Sequence, residues 1–401
     1  MEIHSLAYLF LMTLFLVILF SKRVMRNRVW TATMTPLASI IGSGFLIAAP
    51  LLNELSGDNA PYLMLILCIA SFCVGEVIRW NIMSVESIVE KGAGSKKILL
   101  SEKVGEWALA FAYILSITYY LYLFSSFFLR MTHIYNPVIE KGVVTLLFVG
   151  ISFFGHQHGL NSLEKIESIS VNVKLSIILT ILVALGVYHF SPEASIEVMK
   201  ETKDFNFDTL FISLGLLIMV QGFETSRYLS EKYSGALRVK SMRNSQIISS
   251  MIYMLLIILF IPVFDHHPLG EKISETSVID IGKFVFVLAP TFLFAAAMSS
   301  QLSAAIADMG GGGGLFSELS NKRINSKNAY LLIAASGIFL VWTFDIFKII
   351  SFASKAFALY YSFQCLSSTL YQFRKNHVKF VFSILVGTLC LGIFILGRPF
   401  E

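Results

Sequence analysis

Apolar runs recur along the whole chain and are separated by short polar segments. Most of them approach about 20 residues, the length at which an α-helix crosses the ~30 Å hydrocarbon core of a bilayer. We therefore expect an all-α polytopic membrane protein. The pattern predicts twelve spans, at residues 5–21, 32–53, 60–80, 106–129, 142–155, 169–189, 208–227, 244–264, 284–307, 328–344, 348–371 and 379–397.

The distribution of charge predicts how these spans are oriented. Of the 401 residues, 56% are hydrophobic and 14% are charged, with a net charge of +5. That charge does not indicate nucleic-acid binding, because the basic residues are concentrated in short loops on alternate sides of the spans, beginning with the loop 22–29. The positive-inside rule assigns these loops to the cytoplasm. We expect a bacterial plasma (inner) membrane protein with both termini outside.

The span 32–53 contains two glycines in its middle. Gly42 and Gly44 each weaken a helix by about 1 kcal/mol, and an unwound turn survives in a bilayer only where protein or a wet cavity surrounds it. The two half-helix ends would expose free N–H groups and free carbonyls, which can hold a carboxylate and an ammonium group. The alternative is close helix packing, although these glycines are spaced by two residues and not by four.

A second break, at 219–225 around Gly222, interrupts the span 208–227. When the first and last spans are set aside, each break opens a group of five spans. An odd number of spans inverts the second group relative to the first, so the sequence predicts a 5+5 inverted repeat. The expected divisions are an additional N-terminal helix with its basic loop (1–29), a first repeat (30–190), a second repeat (191–372) and a C-terminal helix (373–401).

Four short segments resemble the amino acid–polyamine–organocation (APC) transporters. The segments 40–45 and 221–224 are similar to the breaks of that family's core helices 1 and 6, and 71–76 and 299–306 are similar to parts of core helices 2 and 8. The resemblance covers roughly residues 32–371. It implies a leucine-transporter-like fold with one extra helix at each end. It also implies secondary active transport of an amino acid or related amine by alternating access.

The same resemblance implies a substrate site. The backbone N–H groups of Ser43 and Gly44 would hold a carboxylate, and carbonyls near Ile40 and from Ile218 to Gln221 would meet the amino group. Phe223 would act as a gate or pocket wall, unless it is an ordinary core aromatic. The full substrate-binding set is Ile40, Ile41, Gly42, Ser43, Gly44, Ile218, Gln221, Gly222 and Phe223.

Lys174 lies one to two turns inside the span 169–189. An intramembrane lysine is costly and is a functional hypothesis by default. It resembles the core helix 5 lysine that takes the place of sodium in sodium-independent relatives. Its ammonium would contact carbonyls near Gly42 and one of Ser299, Ser300 and Ser303, and its protonation would couple a proton to transport. Two alternatives stay open: snorkelling to the interface, and sodium coupling, since the serines are present.

Three further features lie in or beside the predicted spans. Glu224 resembles a family glutamate after the second break and is a candidate proton carrier, but the alternative is an ion pair with Arg227. The run Gly310–Gly314 predicts a flexible hinge in an inner loop. Glu76 and Arg79 have the spacing of an intrahelical ion pair.

Other classes of protein are less favoured. The spans contain no nucleophile with a facing base and no pair of intramembrane aspartates, so we do not expect an enzyme. His156 and His158 would diverge on a helix, so neither a metal nor a cofactor is expected. The predicted partners are a small-molecule substrate, a proton or possibly a sodium ion, and the lipid bilayer, with no nucleic acid. The alternative function is transport of a nucleobase or other small organic solute on the same fold, followed by a channel or receptor.

Overall fold

The computed structural model describes residues 2–42, 44–132, 136–158, 164–192, 206–230, 232–268 and 277–399. Every regular element in these ranges is a helix. The α-helices are α1 (Glu2–Leu19), α2 (Lys22–Met25), α3 (Arg28–Ile40), α4 (Gly44–Ser56), α5 (Ala60–Ser84), α6 (Glu86–Glu90), α7 (Lys96–Met131), α8 (Pro137–His158), α9 (Glu164–His189), α10 (Phe207–Leu214), α11 (Gly235–His266), α12 (Ser277–Val285), α13 (Ala289–Leu319), α14 (Ser326–Thr343), α15 (Ile346–Gln372) and α16 (His377–Leu396). Short 3₁₀ helices cover Gly57–Asn59, Leu217–Val220 and Phe223–Tyr228.

Each predicted span coincides with helical structure, and the all-α expectation is confirmed for the described residues. Within the part of the chain that the structure describes, seven helical segments are long and apolar enough to cross a membrane, with α4 and α5 counted as one continuous stretch. The number of spans and the repeat topology stay predictions. The short helices α2 and α6, and most of α12, lie in segments assigned to loops and are not among the predicted spans.

The centre of the bundle is built around α7, which packs along α13 and α15. The helix α11 packs on α3 and α5, so it lies beside the first break, and α9 packs against α13. The additional helix α1 lies against α9. At the periphery, α8 and α16 keep broad apolar faces exposed, for example Leu146 at 72% and Ile395 at 68%. Such faces match a hydrocarbon solvent, which imposes no penalty on exposed apolar side chains.

The prediction of a flexible hinge at Gly310–Gly314 is wrong, because α13 continues through all five glycines. A Cβ added at Gly313 would overlap the ring of Tyr330 on α14, and one added at Gly312 would lie 3.2 Å from Ile333 Cδ1. The missing side chains therefore let α14 pack directly on the backbone of α13. Packing of this kind outweighs the weak intrinsic helix propensity of glycine, on which the prediction of a hinge rests.

Candidate functional site

The first break separates α3 from α4. The helix α3 ends at Ile40, and the Gly42 N–H turns back to the Ser39 carbonyl at 3.1 Å. Ser43, whose predicted role is contact with a carboxylate, lies outside the described residues. Gly44 opens α4, a 13-residue helix whose first N–H groups have no partners within the helix itself. The break predicted from Gly42 and Gly44 is therefore present.

Side chains of other helices take the carbonyls that this break releases. Lys174 Nζ on α9 donates to the Ala38 carbonyl at 2.8 Å and to the Ile41 carbonyl at 3.0 Å. Ser300 on α13 donates to the Ile41 carbonyl at 2.8 Å and also contacts the Gly42 carbonyl. Buried backbone polar groups require such partners, so the unwound segment is stabilised by groups on two neighbouring helices.

Lys174 is 0% exposed, and its ammonium is directed inward, 3.4 Å from Ser300 Oγ. The alternative that it snorkels to the interface is therefore wrong. The ammonium lies at the C-terminal end of α3, where the helix dipole favours a positive charge. Ser299 instead contacts the Ser170 carbonyl at 3.4 Å, and Ser303 bonds within α13 to Ser300, so only one of the three candidate serines reaches the break.

The second break is longer than the sequence predicted. The helix α10 ends at Leu214, and the chain then passes through a 3₁₀ turn at 217–220 before it becomes extended at Gln221. Gly222 has φ +117°, a conformation that favours glycine, and a second 3₁₀ helix follows it. Irregular backbone therefore runs from Gly215 to Leu229 instead of joining two regular half-helices.

The two breaks are in direct contact. A Cβ on Gly222 would lie 2.7 Å from the Ile40 nitrogen, and a Cβ on Gly44 would lie 2.6 Å from the Met219 carbonyl oxygen. No side chain fits at either glycine in this conformation. The close-packing interpretation of Gly44 thus holds together with the break, although the partner is the 3₁₀ turn 217–220 and not a second regular helix.

Tyr253 on α11 joins the two breaks. Its hydroxyl lies 2.8 Å from the Ile40 carbonyl and 2.7 Å from the Met219 carbonyl. A hydroxyl has a single hydrogen, so it donates fully to only one of these carbonyls at a time. The sequence analysis missed Tyr253, one of several hydroxyl-bearing side chains in the predicted span 244–264.

Other helices fix the backbone of the second break. The Ile218 N–H donates to Ser354 Oγ on α15 at 3.0 Å, and Ser71 Oγ on α5 donates to the Val220 carbonyl at 3.0 Å. The Gln246 side chain on α11 donates through Nε2 to the Ser71 backbone carbonyl at 2.8 Å. The side-chain Oε1 of Gln246 accepts from Arg79. The predicted pair of Arg79 with Glu76 is present at 2.7 Å, so its role is to support this chain of contacts.

Glu224 and Phe223 both contact Tyr361 on α15. Glu224 Oε2 accepts from the Gly222 N–H at 3.0 Å and from the Tyr361 hydroxyl at 2.8 Å. The Phe223 ring stacks on Tyr361 with centroids 5.4 Å apart and is 1% exposed. The alternative pairing of Glu224 with Arg227 is wrong, because Arg227 forms its ion pair with Glu102 on α7 at 2.6 Å.

Arg227 anchors the 3₁₀ segment 223–228 to three other helices. Besides Glu102, it contacts Gln364 on α15, which also bonds to Asn81 on α5. Arg238 on α11 donates to the Arg227 carbonyl and pairs with Glu86 on α6 at 2.8 Å. This end of the broken segment is therefore closed by buried charged groups.

Acceptor atoms are in excess around the two breaks. Among the described residues, the acceptors Gln221 Oε1 and Glu224 Oε1 are buried and have no hydrogen-bond partner, and the buried Ser39 hydroxyl, which can donate or accept, has none either. The Gln221 amide nitrogen lies 3.5 Å from the Tyr120 hydroxyl on α7. An excess of buried acceptors suits a ligand that brings several donors, such as an ammonium group. Within the same ranges, no group of three His, Cys, Asp or Glu side chains is placed to hold a metal ion.

Comparisons with known proteins identify the family. A family model described as "APC superfamily transporter" matches residues 22–397. The chain belongs to the APC superfamily of transporters. A protein of Aquifex aeolicus (strain VF5), named "Uncharacterized protein", is 40% identical to this transporter over 397 residues, which cover 97% of this chain and 95% of the relative. Family membership implies a multi-pass membrane protein that moves a small-molecule substrate.

Most predicted site residues of this APC transporter meet in one place. The residues 40–42, Gly44, Ile218 and 221–223 are all buried where the two breaks touch. Lys174 and Ser300 contact the first break, and Glu224 lies in the second. Ser299 faces Ser170 instead, and Ser43 is not described. Tyr253, Tyr361, Ser71 and Ser354 also contact the site, and the sequence analysis assigned none of them to it.

Proposed function

We propose that this APC transporter is a sodium-independent, proton-coupled secondary carrier of an amino acid or related amine. The observation that carries the proposal is the contact between two broken segments. Backbone carbonyls in these segments have no N–H partner within a helix and face side chains instead. Such segments provide partial charges without a buried formal countercharge, which would cost several kcal/mol to desolvate.

The excess of acceptors supports an amine as one end of the substrate. The Ile40 and Met219 carbonyls share the single Tyr253 hydrogen, and Gln221 Oε1 is an additional acceptor nearby. A substrate ammonium supplies up to three donors to such a set. The N-terminal end of α4 at Gly44 would take a carboxylate at the other end of the substrate, because free N–H groups and the helix dipole favour an anion there.

The position of Lys174 supports coupling to protons. Its ammonium bridges the first break and Ser300 on α13, the contact that a bound cation would otherwise make. Loss of the proton would remove the charge and weaken both hydrogen bonds to α3. Because α9 and α13 would then separate more easily from α3, protonation of Lys174 would favour one arrangement of the bundle over the other.

The burial of the site supports alternating access. Ile40, Ile41, Gln221 and Phe223 are all at most 2% exposed, so the substrate reaches them only after helices move. We propose that α3, α4 and the broken segment 207–228 rock against a scaffold that contains α7 and α13. The proposed repeats, 30–190 and 191–372, would supply the two related halves of that motion.

A ligand screen followed by a transport assay tests this function. Detergent-purified protein is screened by thermal shift against amino acids, polyamines and nucleobases, at two pH values, with and without sodium. We expect an amino acid or amine to raise the melting temperature irrespective of sodium, and to show saturable counterflow in proteoliposomes. Stabilisation by nucleobases alone would favour the alternative substrate class, and flux that does not saturate would indicate a pore.

A further inference from the structure

A crevice lies between the last two helices, away from the substrate site. It has a volume of about 240 Å³ and lies between α15 and α16, beside Leu359, Leu366, Thr369, Ile384, Thr388 and Leu391. Leu366, Ile384 and Leu391 are 42–46% exposed, so the crevice opens on the outer face of the bundle. In a membrane this face meets lipid chains.

The lining of the crevice is suited to hydrocarbon. Its hydroxyl groups are already satisfied within the protein: Thr388 donates to the Ile384 carbonyl at 2.9 Å and Thr369 to the Cys365 carbonyl at 2.8 Å. Ser362 donates in the same way to the Ala358 carbonyl at 2.8 Å. These hydroxyl groups therefore have no free donor, and a lipid acyl chain can occupy the crevice without leaving a polar group unpaired.

The turn between α15 and α16 follows the crevice-lining residue Thr369 and carries basic side chains. Phe373 follows the lining residue Thr369 by four positions, and Phe380 precedes the lining residue Ile384 by four positions. At this spacing each phenylalanine lies about one helical turn beyond the crevice, on the same face as the lining residue. The rings of Phe373 and Phe380 are 5.6 Å apart. Arg374 Cζ lies 5.3 Å from the centroid of Phe373. Arg374 also has φ +65°, an unusual conformation for a residue with a side chain.

The turn between α15 and α16 is basic. Residues 371–380 contain Arg374, Lys375 and Lys379 and no Asp or Glu. Arg374 and Lys375 are exposed at the hairpin turn, and Lys375 Nζ lies 3.7 Å from the centroid of the Tyr371 ring. Basic groups at the membrane-facing end of an apolar crevice attract an anionic lipid headgroup.

We propose that the α15–α16 crevice binds one phospholipid with an anionic headgroup. One acyl chain lies along Leu366, Ile384 and Leu391, and the phosphate lies at Arg374 and Lys375. This site is separate from the substrate site, so its test does not depend on the proposed transport function.

Native mass spectrometry of the full-length protein tests the proposal. The detergent-purified chain is titrated with dioleoyl phosphatidylglycerol, dioleoyl phosphatidylcholine and the short-chain dihexanoyl phosphatidylglycerol. The headgroup variant is Arg374→Gln with Lys375→Gln, and its matched control is Lys22→Gln with Arg23→Gln, an exposed basic pair elsewhere. The crevice variant is Thr388→Phe, which fills the space, and its control is Thr388→Val, which does not.

We expect the protein to bind dioleoyl phosphatidylglycerol more tightly than the other two lipids. The headgroup variant should bind it roughly 30-fold more weakly, about fivefold for each basic residue lost, whereas its control should not. Thr388→Phe should weaken both dioleoyl lipids, whereas Thr388→Val should leave them unchanged. Melting temperatures show whether each variant is folded.

Three results would overturn the proposal. Equal affinity for the two dioleoyl lipids would mean ordinary annular contact without headgroup selection. Equal affinity for the short-chain and dioleoyl phosphatidylglycerols would show that no acyl chain uses the crevice. Unchanged binding to a folded Thr388→Phe variant would place the lipid elsewhere.

Discussion

Single side chains, each on a different helix, determine how the two breaks are held. Lys174 and Ser300 donate to carbonyls of the first break, Ser71 donates to one of the second, and the single Tyr253 hydroxyl hydrogen is shared between one carbonyl of each. Each of these contacts joins an irregular segment to a regular helix. Single substitutions at these positions should therefore affect protein stability, substrate binding and proton coupling to different extents.

Lys174→Ala should abolish proton-driven uptake more than it weakens substrate binding at equilibrium. The variant removes the titratable group that bridges α9, α13 and the first break, while the carbonyls proposed to hold the substrate remain. Uptake is measured in proteoliposomes with an imposed pH gradient, and binding is measured by calorimetry. Lys355→Ala, which removes another lysine from a predicted span, serves as the control and should retain coupling. Unchanged proton-driven uptake in Lys174→Ala would refute the coupling role.

Tyr253→Phe should destabilise the closed contact between the breaks. The variant removes the one hydroxyl that donates to two buried carbonyls, which should lower the free energy of unfolding by about 1–3 kcal/mol. The apparent melting temperature in detergent measures this effect. Tyr330→Phe is a matched control, because Tyr330 is also buried but packs on Gly313 through its ring. If the two variants melt alike, the Tyr253 hydroxyl does not hold the breaks together.

At the scale of elements, irregular segments and glycine-rich helices are both held by their neighbours. The 3₁₀ segment 223–228 is fixed by buried ion pairs, and the glycine run of α13 is fixed by tyrosine rings. Neither element has a strong intrinsic preference for its conformation, so each should respond strongly to changes in the surrounding helices.

Arg227→Ala should be among the most destabilising single changes in the chain. It leaves Glu102 buried without its ion-pair partner, and breaking a buried pair costs about 3–5 kcal/mol. Arg398→Ala removes the exposed pair with Asp208 and should cost at most about 1 kcal/mol. Unfolding in detergent compares the two variants, and similar losses of stability would contradict the anchoring role of Arg227.

Two glycines of the same run should respond in opposite directions to alanine. At Gly314 an added Cβ meets open space, so Gly314→Ala should stabilise α13 by up to about 1 kcal/mol. At Gly313 the added Cβ overlaps Tyr330, so Gly313→Ala should lower the melting temperature. A stabilising effect at both positions would show that the ring of Tyr330 gives way easily.

At the scale of the whole molecule, the substrate site is enclosed by the bundle. Under alternating access, the same buried residues become reachable first from one side and then from the other. The rate at which a buried cysteine reacts with a thiol reagent therefore reports on the proposed motion.

Ser39→Cys should show this change in accessibility. In a background without the four native cysteines, the thiol at position 39 should react slowly with a maleimide, because Ser39 is 2% exposed. Ligands that shift the conformational equilibrium should change that rate severalfold. Arg323→Cys, on an exposed turn, should react at a constant rate and is the control. A rate at position 39 that no substrate or pH change alters would argue against the proposed motion.

The sequence by itself determined the class of the protein and the places where its helices break. Apolar runs of membrane-spanning length allow only helices in a bilayer, and glycines in the middle of such runs mark where a helix is weakest. The cost of burying a charge also marked Lys174, because an intramembrane lysine requires partners inside the protein.

Only the tertiary structure decided which groups satisfy those breaks. Tyr253, Tyr361 and Ser71 are common residues within apolar spans, and their importance comes from the helices that lie opposite them. The glycine run is helical because of a similar contact between distant residues: Tyr330, on the next helix, packs against Gly313. Contacts between residues far apart in sequence depend on how helices pack, and local propensity carries no information about that packing.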